Sequence, residues 1–172
     1  MDPATERQFR EFMEERSAAL MRLAYLLTGG DQHAAEDLLQ TALSKTVTRW
    51  AAVRSPEAYV RQVMYRQQAD FWQSRWRRRE THVSVPPDES RPDDTPALDL
   101  RVVVSEALTR ITPRQRAVLV LRFFEDLPEK EVARLLGCSV GTVRSTTHRS
   151  LARLRELAPE LNDSGHIEEV VR

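Results

Sequence analysis

The chain has 172 residues, and its 26 basic and 26 acidic side chains cancel to a formal net charge of zero. That length holds one ordinary domain or two small helical ones, and the lone Cys138 excludes an internal disulfide or a thiolate metal cluster. No apolar run is long enough to span a bilayer and no secretory signal pattern opens the chain, so the cytoplasm is the expected location, without membrane insertion.

The neutral total hides segregated charge. Residues 54–79 carry seven basic and two acidic side chains, and residues 80–99 carry one basic and six acidic. Residues 100–158 carry eleven basic and six acidic, and the last fourteen one basic and four acidic. Two basic blocks around an acidic strip suggest two anion-binding modules on a linker. His33, His82, His148 and His166 show no metal-ligand spacing, so no metal or other cofactor is expected.

In chain order, Phe9, Phe12, Met13, Leu20, Leu23, Ala24 and Leu27 recur at helical spacing, and Thr28-Gly29-Gly30 should end that helix. Asp31 can cap a second helix with Ala35, Leu38, Leu39, Ala42, Thr46, Val47 and Trp50 on its apolar face. Ser55-Pro56-Glu57 supplies a cap, a first-position proline and a first-turn acid for a third helix reaching about Arg79.

On that third helix Val60, Val63, Met64, Gln67 and Phe71 form a core arc. Tyr65, Trp72 and Trp76 lie opposite, flanked by Arg61, Gln68, Arg75 and Arg79. An aromatic stripe is usually core, but here a core arc already exists. Surplus rings beside arginines suit unpaired bases, with rings on base faces and cations on the backbone. The plainer alternative packs Trp72 or Trp76 on the first helix as a two-sided core.

Residues 80–97, with four prolines and an acidic bias, read as a flexible linker. Helical spacing resumes with Val102, Leu108 and Ile111. Thr112-Pro113-Arg114-Gln115 is a capping box opening a helix with Ala117, Val118, Leu121 and Phe124 inside. From Asp126 to Arg155 the pattern is a helix-turn-helix, with a tight Gly137-Cys138-Ser139 turn and Ser139 as N-cap. Val140, Val143, Thr147, Leu151 and Leu154 share one arc of its second helix, facing Val132, Ala133, Leu135 and Leu136. Thr142, Ser145, Arg149 and Arg153 lie opposite, with Arg144, His148 and Ala152 on the flank. Short hydroxyls and cations reach phosphates and base edges in a major groove. An ordinary helical hairpin with a solvated basic face would show the same arcs. The expected fold is all-α: two small helical domains, 1–79 and 98–158, joined by the 80–97 linker, with a flexible tail at 159–172. No phosphate loop, nucleophile motif or carboxylate–histidine set appears, so an enzyme is not expected.

A module for duplex DNA after a module for single strands resembles the extracytoplasmic-function (ECF) sigma factors of bacterial RNA polymerase, the small two-domain class of the sigma-70 family. Ala24 to Leu43 (AYLLTGGDQHAAEDLLQTAL) and Ser55 to Arg79 (SPEAYVRQVMYRQQADFWQSRWRRR) are similar to sigma region 2. Leu108 to Arg155 is similar to region 4. The YVRQVM stretch and the tryptophan-plus-arginine ending are most similar to an actinobacterial branch. The resemblance implies a transcription initiation subunit that directs promoter recognition. It places Asp37, Leu38, Gln40 and Thr41 on the surface that docks the polymerase clamp helices, with the flap as a second contact on core polymerase. It assigns the −10 element of promoter DNA to Arg61, Tyr65, Arg66, Gln68, Trp72, Arg75, Trp76 and Arg79. It assigns the −35 element to Thr142, Arg144, Ser145, His148 and Arg149. Family members are commonly held inactive by an anti-sigma factor, which makes such a protein a further expected partner. The chain departs from the family in having Thr41 where Glu is usual, Tyr59 where Trp is usual, Arg66 where Asn is frequent and Ser139 where Pro is common.

Two other functions fit parts of this pattern. One is a stand-alone helix-turn-helix regulator with an N-terminal sensor or dimerisation domain. The other is a polymerase-binding protein that reads no promoter. The basic aromatic helix stands where a sensor pocket would be, and the outward Arg149 face argues for DNA contact.

Overall fold

The computed structural model describes residues 2–79 and 100–159; at 72, 73, 75–79, 100–102 and 105 it describes backbone only. The expected linker and all but the first residue of the expected tail lie outside the described residues. Seven α-helices run through the rest: α1 (Pro3–Thr28), α2 (Gln32–Val47), α3 (Pro56–Arg79), α4 (Leu100–Thr109), α5 (Pro113–Leu119), α6 (Glu129–Leu136) and α7 (Val140–Leu157). A short 3₁₀ turn, Trp50–Ala52, precedes α3, and a π-helical turn, Val120–Phe124, continues α5. There is no strand among the described residues.

Helix ends follow local chemistry. The Asp2 carboxylate accepts from the N–H groups of Ala4 (3.0 Å) and Thr5 (3.1 Å), and Pro3 fills a position that needs no donor. Gly29 ends α1 with φ 75°, a conformation that strains any residue with a Cβ. Asp31 caps α2 through the Ala34 N–H at 3.0 Å. Thr112 and Gln115 form the capping box of α5.

The helices form two units, α1–α3 and α4–α7. In the first, Leu20, Leu23, Leu27, Leu39, Val60 and Met64 make the centre. Phe9 and Phe12 of α1 hold Trp50 edge-on, with ring centroids 5.2 and 5.4 Å away. In the second, α4, α5 and α7 enclose Val104, Leu108, Leu119 and Leu154. The first core continues across the units through Val118, Leu121, Val132 and Leu136, so α3 packs on α6 and α1 on α5.

Two expectations are corrected. Phe71, placed on the core arc of α3, is 50% exposed. Tyr65, placed on the surplus outer stripe, is 5% exposed. For Tyr65 the reason is that the second unit covers that side of α3, so this middle stretch of the helix is buried on two faces. Leu38, which the periodicity places on the apolar face of α2 and the family resemblance on the docking surface, is 7% exposed and packs inward from α2. The helix opened by the capping box also changes character. At Val120 it widens into a π turn, and Asp126 follows in the left-handed region at φ 53°.

Candidate nucleic-acid interface

The helix-turn-helix is built as its sequence requires. Glu129 and Glu131 lie in the first turn of α6, where the helix dipole favours negative charge. Gly137 ends α6 at φ 62°, and Ser139 Oγ accepts from the Thr142 N–H at 3.0 Å. Val143 and Leu154 are fully buried and fix the inner face of α7. Thr146 and Ser150 are buried beside them. The Ser150 hydroxyl donates to the Thr146 carbonyl at 2.6 Å, so its burial strands no polar group.

With that face fixed, Arg144, Ser145, His148 and Arg149 are exposed together, and Thr142 is half-buried at the helix start. Arg149 Nε donates to the Ser145 carbonyl at 3.2 Å, which lays the side chain along the outer face. Arg144 Nε is held 2.7 Å from Glu129 of α6. Beside Arg149 runs an open groove of about 470 Å³, between α7 and the α4–α5 junction, lined by Arg110, Thr112, Gln115 and Arg153 among others. Arg110 adds a cation to this face that helical periodicity did not single out, because it stands in the turn between two helices.

On α3, Arg61 donates to Glu57 at 2.9 and 3.2 Å and also pairs with Glu125 of the second unit. Burial works against the Arg61 charge, but the Glu125 and Glu57 carboxylates outweigh it and raise the guanidinium above its ordinary pKa. The Tyr65 hydroxyl donates to the same Glu125 carboxylate. Burial, then the Glu125 charge, pushes the phenol well up, so it stays protonated. Arg66 is exposed and Gln68 half-buried. The side chains of Trp72, Arg75, Trp76 and Arg79 lie outside the described residues, although the α3 backbone runs through them. Glu125 carried no signal in the sequence, because its partners stand 60 and 64 residues earlier.

On α2, Asp37, Gln40 and Thr41 are exposed on one side, with the Thr41 hydroxyl turned back to the Asp37 carbonyl at 2.8 Å. Leu38 supports them from the core. Gln40 also borders a groove of about 520 Å³ lined by Phe9, Met13, Met21, Leu39 and Leu43 between α1 and α2. The face thus offers apolar area rimmed by polar groups, as a protein-docking surface does.

Comparison with known proteins gives concordant findings. Residues 101–154 match the family model for sigma-70, region 4. The chain is 41% identical over 152 residues to an RNA polymerase sigma-E factor of Streptomyces avermitilis, covering 87% of this chain and 84% of that protein. It is 30% identical over 161 residues to the ECF RNA polymerase sigma factor SigM of Mycobacterium tuberculosis, covering 92% of this chain and 81% of that one. Its fold is similar to that of the sigma factor RpoE from Bartonella quintana, solved in complex with the anti-sigma factor NepR. The TM-score is 0.60 at 23% identity, over 88% of this chain and 96% of that one.

Proposed function

The chain belongs to the ECF sigma factors of the sigma-70 family, and on that premise we propose how its surfaces divide the work of promoter recognition. The observation that carries the reading is the exposed face of α7. There Arg144, Ser145, His148 and Arg149 stand clear of a helix held by Val143 and Leu154. A rigid helix with an outward set of hydroxyls and cations is what major-groove reading of the −35 element requires, with arginines bidentate to guanine or bound to phosphate.

Core polymerase docks on the outer side of α2 through Asp37, Gln40 and Thr41, beside the apolar groove. Leu38 acts from behind, as the packing that fixes them. The clamp helices are the fitting partner there, and the second unit reaches the flap. The −10 element falls to α3, through Arg66 and Gln68 and the continuation with Trp72, Arg75, Trp76 and Arg79; Arg61 and Tyr65, which here face Glu125, join them only once that side of the helix is uncovered. Rings that stack on unpaired bases and arginines that hold the backbone would favour the melted strand over the duplex. The protein contributes recognition and no catalysis, works in the cytoplasm beside the polymerase, and is open to control by an anti-sigma factor. No described helix is long and apolar enough to cross a membrane.

Run-off transcription tests this reading. Bacterial core polymerase with the full-length protein should give promoter-dependent transcripts that core alone does not. Absence of both transcripts and co-purification with core would overturn it.

A further inference from the structure

Only 6% of the Glu125 side-chain surface is exposed, and its carboxylate takes both Arg61 and Tyr65. These are two of the side chains that α3 would offer to promoter DNA. We propose that Glu125 is an intramolecular latch: its carboxylate occupies the −10-reading groups of α3 and holds the chain in a closed state that must open before a promoter is read. The proposal rests on the sigma-factor reading of α3 and α7 and goes beyond it to a form of self-restraint.

The local backbone is shaped for this contact. The π turn Val120–Phe124 closes with the Glu125 N–H on the Val120 carbonyl at 2.9 Å, and the Leu127 N–H reaches Leu121 at 3.0 Å. Asp126 then takes φ 53° without being glycine. A π turn and a left-handed non-glycine residue persist where the surroundings over-determine them. Between them stands Glu125, aimed at α3. The chemistry is competitive in kind, since a guanidinium accepts a carboxylate or a phosphate in the same fork geometry.

Geometry excludes promoter reading in this arrangement. Both α3 and α7 pack on α6. Two helix–helix packing distances separate their axes by no more than ~20 Å. The −10 and −35 elements lie roughly 25 base pairs apart by their names, ~85 Å along a duplex at ~3.4 Å per base pair. The two units must therefore part. Residues 80–99 are long enough to let them, with a contour of at most ~70 Å beyond the dimensions of the units themselves.

The interface is also imperfect where a permanent one would be apolar. Arg116 of α5 is buried against the end of α1 with no carboxylate partner among the described residues. Its Nη2 donates to the Ile111 carbonyl at 3.3 Å, and its Nε has no partner among the described residues. A buried charge paired so poorly lowers the cost of separation, because water recovers it on opening.

The test uses the full-length chain with Cys138→Ser, spin-labelled at two exposed positions by His33→Cys and Arg155→Cys. Pulsed dipolar spectroscopy reads the distance between the units. Binding of a labelled short oligothymidine reads access to α3. The parent should show a short distance. Glu125→Gln should move population to longer distances and raise oligothymidine affinity several-fold, because apparent affinity is limited by the open fraction. Tyr65→Phe, which keeps the ring, should shift distances the same way by less. Glu106→Gln removes the same charge from an exposed site and should change neither. A parent already at long distances, or Glu125→Gln and Tyr65→Phe chains with the parent's distances and affinity, would overturn the latch. Run-off transcription by the unlabelled parent separates the two ideas. Loss of promoter-dependent transcripts there counts against the sigma reading, whereas transcription with unaltered distances in both variants counts against the latch alone.

Discussion

Gly29 leaves the space that Arg116 fills: a Cβ on Gly29 would lie 1.4 Å from Nη1 of the buried guanidinium. The relationship joins the end of α1 to α5 across the two units. The last turn of α1 carries the negative end of its dipole, which favours a cation nearby. Burial opposes that cation and pushes the Arg116 pKa down to about 10.

The opposing terms decide the first prediction. Helix-dipole stabilisation is worth ~0.3–1 kcal/mol near a helix end, and more only in favourable buried geometry. Even a paired buried charge is often replaced by well-packed apolar side chains with no loss or with a gain of ~1–4 kcal/mol, and a guanidinium with no carboxylate beside it has less to lose. Arg116→Met should therefore raise stability by ~1–3 kcal/mol in urea unfolding at neutral pH. The pKa is depressed, so the unfolded chain holds this proton more tightly and the penalty is complete below about 10. It is relieved as pH rises through that value, so the gain from Arg116→Met should be flat from neutral pH to 9 and shrink above. A less stable Arg116→Met chain would show that the guanidinium is net favourable.

Gly29→Ala should destabilise for two separable reasons. One is the left-handed backbone, which costs an alanine ~1–2 kcal/mol. The other is the collision with Arg116, and the guanidinium cannot retreat freely because it is enclosed. A double-mutant cycle with Arg116→Ala separates them: the collision vanishes and the backbone strain stays. Thermal unfolding of the four chains measures the coupling. Purely additive losses would mean that the guanidinium moves aside at no cost.

Much of the fold was legible because its signals are local. Asp31, Thr112 with Gln115, and Ser139 cap the helices their sequence positions mark, and Gly29 and Gly137 end them. Those interactions span a few residues and need no tertiary context. The misplaced residues depend on packing between distant segments. Tyr65 is buried because the second unit covers part of α3, and no periodicity within α3 encodes that cover. Leu38 carried a family role on the surface but obeys its own apolar character. Thr146 and Ser150 escape a hydrophobic count because they are hydroxyl residues, yet their place inside α7 is affordable once the helix's own carbonyls accept from them, as for Ser150. The π turn and the positive φ of Asp126 have no glycine or proline to announce them. The outward face of α7 was readable, since burial of Val143 and Leu154 fixes the rotation of the whole helix.

That rotation gives the third prediction. Leu154 is fully buried between α4, α5 and α7, so Leu154→Ala should cost ~2–5 kcal/mol through lost transfer energy and a cavity. Arg153, its neighbour, is exposed and pairs with Glu156 at 2.8 Å. Arg153→Ala should change stability by no more than ~0.5 kcal/mol. Calorimetry on both chains checks the assignment, and equal losses would mean that α7 is rotated from the described position.

The final prediction concerns Arg144 and Arg149, which share the outer face of α7 but differ in their ties. Arg144 is held 2.7 Å from Glu129, whereas Arg149 leans on its own helix through the Ser145 carbonyl at 3.2 Å. A carboxylate beside Arg144 competes with phosphate, so Glu129→Gln should strengthen binding to a −35 duplex and steepen its salt dependence by about one phosphate equivalent. Stability should fall by no more than ~1 kcal/mol, since Arg144 is exposed, Glu129 is only half-buried and Glu131 still serves the start of α6. Arg149→Ala should act in the opposite direction. If Arg149 reads a base, the loss is ~1–3 kcal/mol at its cognate position and small elsewhere; if it holds phosphate, affinity falls alike on all sequences and the salt slope drops by about one. Titrations of both variants on matched and mutated duplexes at several salt concentrations distinguish these outcomes. Unchanged binding in Arg149→Ala, with no response to Glu129→Gln, would remove α7 from the groove and leave the basic face of this helix-turn-helix as solvated surface.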